Sequence, residues 1–225
     1  MGNGIVRNLK YILSSLLEVI YSGEECCVLC GTSLEDDYLC KSCYTKLKLC
    51  KGSFKVEKGL KVYSYYSGAY YSYSMMELVI RLKYKGDFHC GNIIGSLMKD
   101  TILREGINFD YITYVPISEK TLAKRGYNQS QLLAKYIGSY FNKKVYGLIY
   151  KTSVSKDQIG LSKEERWENL SKSFKCKAKI CLKDKTILLI DDVITTGATA
   201  FLCAEELKRI GAKEVIILTG AKSKL

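Results

Sequence analysis

Two adjacent carboxylates, Asp191 and Asp192, end an apolar run in "TILLIDDVITTGATAFLCAEEL" (186–207), and threonines around a glycine follow them. A carboxylate pair at the end of a strand can accept hydrogen bonds from a vicinal diol, such as that of ribose, without losing its charge. Next, Thr195, Thr196, Gly197, Ala198 and Thr199 open a helix. Backbone N–H groups at a helix start point outward, Gly197 lets the main chain come close, and the threonine hydroxyls add donors, so a phosphate suits this segment. A diol acceptor beside a phosphate cradle describes a ribose-5-phosphate site. No G-x-x-x-x-G-K-[ST] occurs, so this is not a Walker loop. The plainer alternative is a capped helix with two solvated carboxylates.

A second constellation is metal-binding. Cys27, Cys30, Cys40 and Cys43 form "CVLC" and "CKSC", two C-x-x-C pairs separated by nine residues. Each knuckle turns two thiolates toward one centre, and two knuckles complete a closed tetrahedral zinc site. Gly31 fits the tight turn after the first knuckle. A segment of roughly 30 residues cannot build its own core, so the zinc would be structural and supply the folding energy. Redox chemistry or an iron–sulfur cluster is the alternative for such pairs. Cys26 could exchange with Cys27 as a ligand, and Cys50 lacks a partner for a third knuckle. Cys90, Cys176, Cys181 and Cys203 are scattered and read as small core residues. His89 is the only histidine, and a structural role outweighs acid–base catalysis.

The elements that must position these groups alternate. "DYITYVP" (110–116), "KVYGLIY" (144–150), "TILLI" (186–190) and "EVIIL" (214–218) read as strands. "TILLI", continuous and β-branched, suits a strand buried on both faces. "NQSQLLAKYIGSYF" has apolar residues at helical spacing with Asn128 as its N-cap, and "TAFLCAEELKRIGA" turns Leu202, Cys203, Leu207 and Ile210 inward before Gly211. "SYSMMELVIRLKYKGD" and "CGNIIGSLMKDTILRE" read as two further helices. The alternation implies an α/β fold with a parallel sheet and right-handed crossovers, where ligands bind beyond the carboxyl ends of the strands. The expected division is an N-terminal amphipathic helix (1–23), a zinc ribbon (24–55) and an α/β domain (56–225).

Charge is uneven: residues 1–50 hold 5 Lys/Arg against 6 Asp/Glu, and residues 51–225 hold 30 against 17, out of a net +12. A basic body attracts phosphate-bearing partners, whether a small substrate, nucleic acid or anionic lipid, although a solvated lysine surface has the same composition. No apolar run reaches the roughly 18 residues of a membrane span. In "IVRNLKYILSSLLEVIY" Glu18 breaks the apolar stretch and no small-residue cleavage site follows, so it reads as an amphipathic helix rather than a secretory signal. A cytoplasmic location is expected.

"ILLIDDVITTGAT" resembles the phosphoribosyl-pyrophosphate signature of type I phosphoribosyltransferases. With it, "CVLCG…LCKSC", "RLKYKGD", "ITYVPIS…KRGYNQSQLLAK" and "DQIGLSKEERWENL", in this order, resemble the ComF family, zinc-ribbon phosphoribosyltransferase-like proteins of bacterial DNA uptake. Where relatives often carry a further cysteine pair, this chain has only Cys50.

The resemblance implies a type I phosphoribosyltransferase-like sheet and a pocket for phosphoribosyl pyrophosphate with Mg2+. Asp191 and Asp192 would hold the ribose and Thr195–Thr199 the 5′-phosphate. Lys124, Arg125 and Gly126, in the loop after the first sheet strand, would take the pyrophosphate. Gln158, Arg166 and Asn169 would lie in a mobile covering loop, and Lys83 and Lys85 either line the pocket or are solvated. The implied chemistry is displacement of pyrophosphate by a nitrogen nucleophile. The competing class is a binding module for single-stranded DNA or a helicase-like competence protein, associated peripherally with the membrane uptake machinery. A nucleobase salvage enzyme carrying an added zinc ribbon is the third alternative.

Overall fold

The computed structural model describes residues 26–35, 37–152, 173–177 and 180–223. The expected N-terminal helix and Gln158, Arg166 and Asn169 lie outside these residues. The chain divides into two compact units, 1–44 and 45–225.

In the smaller unit, Cys26 bridges Ser33, and Gly31 (φ 74°) donates its N–H to the Cys27 carbonyl, closing the first knuckle. The second knuckle runs into a short helix, α1 (Lys41–Thr45).

The larger unit is built on five strands: β1 (Phe54–Lys58), β2 (Lys61–Tyr70), β3 (Tyr111–Tyr114), β6 (Thr186–Ile194) and β7 (Glu214–Lys222). Their order is β1-β2-β7-β6-β3. β2, β7, β6 and β3 run parallel, with Tyr65 opposite Ile217 and Ile187 opposite both Val215 and Tyr111; β1 is an antiparallel edge.

Chain order supplies α2 (Tyr73–Ile80), a π-helical turn (Arg81–Lys85), α3 (Phe88–Glu105), α4 (Glu119–Arg125), α5 (Gln129–Tyr140) and α6 (Ala198–Arg209). Ile187, Leu189, Val215 and Ile217 pack with Phe201, Cys203 and Leu207 of α6. Full burial of one such aliphatic or aromatic side chain is worth about 1.5–3 kcal/mol. Across the sheet, a Cβ on Gly68 would lie 3.1 Å from Leu97 and one on Gly220 2.5 Å from Ile94, so these glycines let α3 close on the strands.

Several expectations need correction. "KVYGLIY" joins the parallel sheet only through one bridge, Val145 beside Ile112 of β3, where the Ile112 N–H donates to the Lys144 carbonyl and the Tyr146 N–H to the Ile112 carbonyl. Only Ile149–Lys151 (β4) is a strand, pairing antiparallel with Phe174–Cys176 (β5) in a separate two-stranded sheet. The apolar run is satisfied by burying Leu148 and Ile149 against the α6 cluster. "TILLI" and "EVIIL" continue as strands to Ile194 and Lys222, so the acidic pair lies within β6 rather than at its end. Cys90 and Cys203 are buried, as expected, but Cys176 is only partly so and Cys181 is exposed.

Candidate functional site

Asp191 and Asp192 sit near the carboxyl end of β6, where open α/β sheets bind ligands. Asp191 is half-buried; its Oδ1 accepts from Ser130 Oγ and from the Asp192 N–H, both at 2.9 Å. Burial, and then the neighbouring Asp192, push its carboxyl well above the usual range, against those two donors and Lys83. Asp192 is buried deeper. With its side chain 5% exposed, Oδ2 meets Lys83 Nζ at 2.6 Å, and Lys83 is itself 22% exposed. One acid of the pair therefore favours its proton while the other is matched by an ammonium.

Beyond β6, Asp191 and the stretch Thr195–Ala200 line a small hollow of about 60 Å³. Gly197 caps α6 in the left-handed region (φ 77°), and a Cβ there would lie 2.5 Å from Val56 Cγ2. Glycine is required here by backbone conformation and by β1, before any ligand approaches. Thr195 and Thr196 are exposed, while Ala198 and Thr199 are half-buried at the first turn of α6.

A larger cleft of about 410 Å³ is linked to the acidic pair by Lys83, which lines it and reaches Asp192. Lys83 and Tyr84 of the π-helical turn form one wall, with Lys120, Lys124 and Arg125 of α4 and Tyr127 after it forming the other. Among the described residues its lining holds four cations and no carboxylate.

The segment expected to be a loop, "PISEKTLAKRGYN", folds into α4. Ser118 caps it, accepting from the Thr121 N–H, and Gly126 (φ 82°) ends it. Lys124 and Arg125 fall in the last turn, where the helix dipole favours cations. Arg125 donates to Gln129 Oε1 and lies 5.3 Å from the Tyr84 ring centre. Tyr127 donates its hydroxyl to the Leu82 carbonyl, tying this segment to the π-helical turn.

Asn128 joins the cleft to the acids. Its Oδ1 accepts from the Ser130 and Gln131 N–H groups, capping α5, while its Nδ2 donates 3.0 Å to the Val115 carbonyl at the exit of β3. Ser130 then reaches Asp191. Sequence reasoning singled out Asn128 only as a cap and missed Ser130, Lys120, Tyr84 and Tyr127 as site residues. The quoted motif "KRGYNQSQ" contained two of them. Lys83 and Lys85 part ways: Lys83 enters the site, and Lys85 is 61% exposed and pairs with Glu77 at 3.7 Å.

A still larger hollow, about 480 Å³, is lined by Asn108, Asp110 and Thr186 among others, at the entry ends of β3 and β6. Size alone therefore does not select the site; strand polarity and the convergence of charged groups do.

In the smaller unit, the Sγ atoms of Cys27, Cys30, Cys40 and Cys43 lie within 4.8 Å of one another, with Cys30 to Cys40 at 3.7 Å. A tetrahedron built on zinc–sulfur bonds of ~2.3 Å has edges of roughly 3.8 Å, so the donor set fits zinc. The Thr32 hydroxyl, 3.2 Å from Cys30, helps lower that thiol to about 6, whereas burial and then its neighbouring thiols push Cys43 up to about 12. Cys26 stands outside the cluster. Cys50 belongs to the larger unit, buried, with its N–H on the Gly68 carbonyl and its own carbonyl taken by Arg104. Neither adds a ligand to the four.

Residues 121–223 match the phosphoribosyl transferase domain family. Competence protein ComFC of Streptococcus pneumoniae is 29% identical over 147 residues, covering 64% of this chain and 62% of that protein. Competence protein ComFC of Bacillus subtilis is 25% identical over 180 residues, 79% of this chain and 69% of that protein.

The chain is similar to proteins of the ComF family. DNA utilization protein YhgH of Escherichia coli is also similar, 30% identical over 107 residues, 47% of this chain and 46% of that protein. The match thus spans about half to two thirds of these relatives' lengths. The region matched to the phosphoribosyl transferase domain begins within α4 and includes Lys124, Arg125 and Tyr127 of the cleft, Asp191, Asp192 and the threonine turn. The fold is an α/β sheet of the phosphoribosyltransferase type, with a four-cysteine cluster preceding it.

Proposed function

We propose that this protein is a ComF protein, that it binds phosphoribosyl pyrophosphate and that it acts in handling incoming DNA. The observation that carries the reading is a cationic cleft without carboxylates, lying against an acidic pair whose strand leads straight into a helix N-terminus. Each part suits one part of the ligand. Asp191 and Asp192 would accept hydrogens from the ribose hydroxyls, and the N–H groups and hydroxyls of Thr195–Thr199 would take the 5′-phosphate. Lys124 and Arg125, helped by Gly126 at the helix end and by Lys120, would take the pyrophosphate. Among the described residues no second cluster could cage a metal. Mg2+, which neutralises phosphate charge, would arrive on the ligand's own oxygens.

In the reaction this arrangement supports, the bond from the anomeric carbon to pyrophosphate breaks, its electron pair leaving with pyrophosphate. A bond to an acceptor nitrogen forms, and the acceptor loses a proton. The protein's part is positioning and charge stabilisation. The four cysteines would hold a structural zinc. The relatives' names, competence protein and DNA utilization protein, support a role in DNA uptake; the reading we propose puts that role in the cytoplasm, beside a helicase-like competence protein and the membrane uptake machinery.

Titrating phosphoribosyl pyrophosphate with Mg2+ into the zinc-loaded protein by calorimetry tests the reading, with Asp191→Asn/Asp192→Asn as the comparison. Binding that the double substitution abolishes is expected. If neither protein binds, the signature persists without its ligand.

One observation favours a second reading. Tyr73 and Tyr84 are 80% and 72% exposed beside a basic body, as a surface that stacks single-stranded bases requires. Steeply salt-dependent binding of single strands by a protein that ignores phosphoribosyl pyrophosphate would favour the binding module.

A further inference from the structure

Lys83 stands between the two halves of the site. Its backbone is fixed: Leu82 is fully buried, Tyr127 grips the Leu82 carbonyl, and Gly86 (φ 67°) closes the π-helical turn. Such turns inside helices recur at functional sites. The lysine side chain, 22% exposed, is what links this fixed turn to Asp192. It reaches Asp192 at 2.6 Å while also lining the cleft that holds Lys120, Lys124 and Arg125.

Other acids nearby are committed. Glu77 pairs with Arg81 at 2.8 Å and with Lys85, and Asp87 caps α3 by accepting from the His89 N–H. Asp191 already accepts from Ser130 and from the Asp192 N–H. In this state, then, the deeper carboxylate of the ribose-binding pair is occupied by the protein's own ammonium.

Resting on the ribose-phosphate reading above, we propose that Lys83 is a positioning residue that makes this site select for a pyrophosphorylated ribose. With the cleft empty, Lys83 holds Asp192. Pyrophosphate oxygens arriving among three other cations offer Lys83 a second anion within reach of the same side chain. The ammonium moves to them, and Asp192 is released to accept a ribose hydroxyl. A ligand with the same sugar phosphate but no pyrophosphate offers Lys83 nothing, and its hydroxyls must compete with the ammonium for Asp192. One residue thus couples occupancy of the leaving-group subsite to readiness of the sugar subsite. A nucleoside monophosphate product, which lacks pyrophosphate, is disfavoured by the same device.

The test compares affinities for phosphoribosyl pyrophosphate with Mg2+ and for ribose 5-phosphate, by calorimetry, on the full zinc-loaded chain. Wild type is expected to prefer the first ligand. Lys83→Met is expected to weaken phosphoribosyl pyrophosphate about tenfold or more, the loss of one charged contact, while ribose 5-phosphate binds as well or several-fold better. Lys85→Met, altering a solvated neighbour, should leave both affinities in place. Lys83→Gln, which still gives Asp192 a hydrogen-bond donor, keeps the comparison open should Lys83→Met fold poorly.

A Lys83 variant that weakens both ligands alike, or neither, overturns the proposal while leaving the ribose-phosphate reading intact. A wild-type protein that binds neither ligand overturns both.

Discussion

Asp191 is the residue whose chemistry departs furthest from its sequence expectation. Two adjacent acids suggested two charges, but burial and the neighbouring Asp192 push the Asp191 carboxyl up to about 8, against Ser130, the Asp192 N–H and Lys83. An unfolded aspartate titrates near 3.9, so between roughly pH 4 and 8 the folded state binds the extra proton. Stability from this group is therefore present below pH 4 and is lost as pH rises through 8. Asp191→Asn keeps an oxygen for Ser130 and removes the titration. The variant should match wild type near pH 4 and melt higher than wild type at pH 8 to 9. Thermal unfolding followed across that range checks this; equal melting at both ends would mean that Asp191 is ionised throughout.

At the scale of elements, Asn128 holds the site's architecture. It caps α5 and also clamps the Val115 carbonyl, fixing the exit of β3 relative to the helix that carries Ser130. Asn128→Ala loses a cap worth about 1 kcal/mol and leaves a buried carbonyl unmatched at about 1–3 kcal/mol. A total of about 2–4 kcal/mol by denaturant unfolding is expected. Asn128→Asp, which retains the capping oxygen and loses the donor, should fall between the two. If Ala and Asp cost the same, the clamp and not the cap dominates.

The cap was legible in sequence because an Asn before a helical apolar pattern is a local signal. The clamp was not, because its partner lies on another element. β6, β7, α5 and α6 were legible for the same reason, each declared by its own periodicity. "KVYGLIY" was legible as extended chain but not as two pairings, Val145 beside β3 and Ile149–Lys151 beside β5, because an apolar run shows burial without showing which sheet buries it. Lys83 is the clearest case: "RLKYKG" offers two lysines with nothing local to separate them. Only the fold brings one to Asp192 and turns the other to Glu77 and solvent.

At the scale of the whole molecule, the two units draw stability from different sources. The larger unit buries layers of aliphatic side chains on the two faces of its sheet. Among the described residues of the smaller unit only Cys27 and Cys43 are buried, and both belong to the four-thiol cluster. A unit whose interior is a cluster that could hold a metal would fold with that metal, and on the zinc proposal zinc binding there is folding free energy. Removing zinc with a chelator at neutral pH should abolish amide-exchange protection across residues 26–44. Protection of β6, β7 and α3 should persist, and one equivalent of zinc should appear per chain. Cys43→Ser should reproduce the pattern without chelator. Loss of protection throughout both units on chelation would instead make the metal the keystone of one cooperative body, and the sheet's apolar layers would then be insufficient on their own.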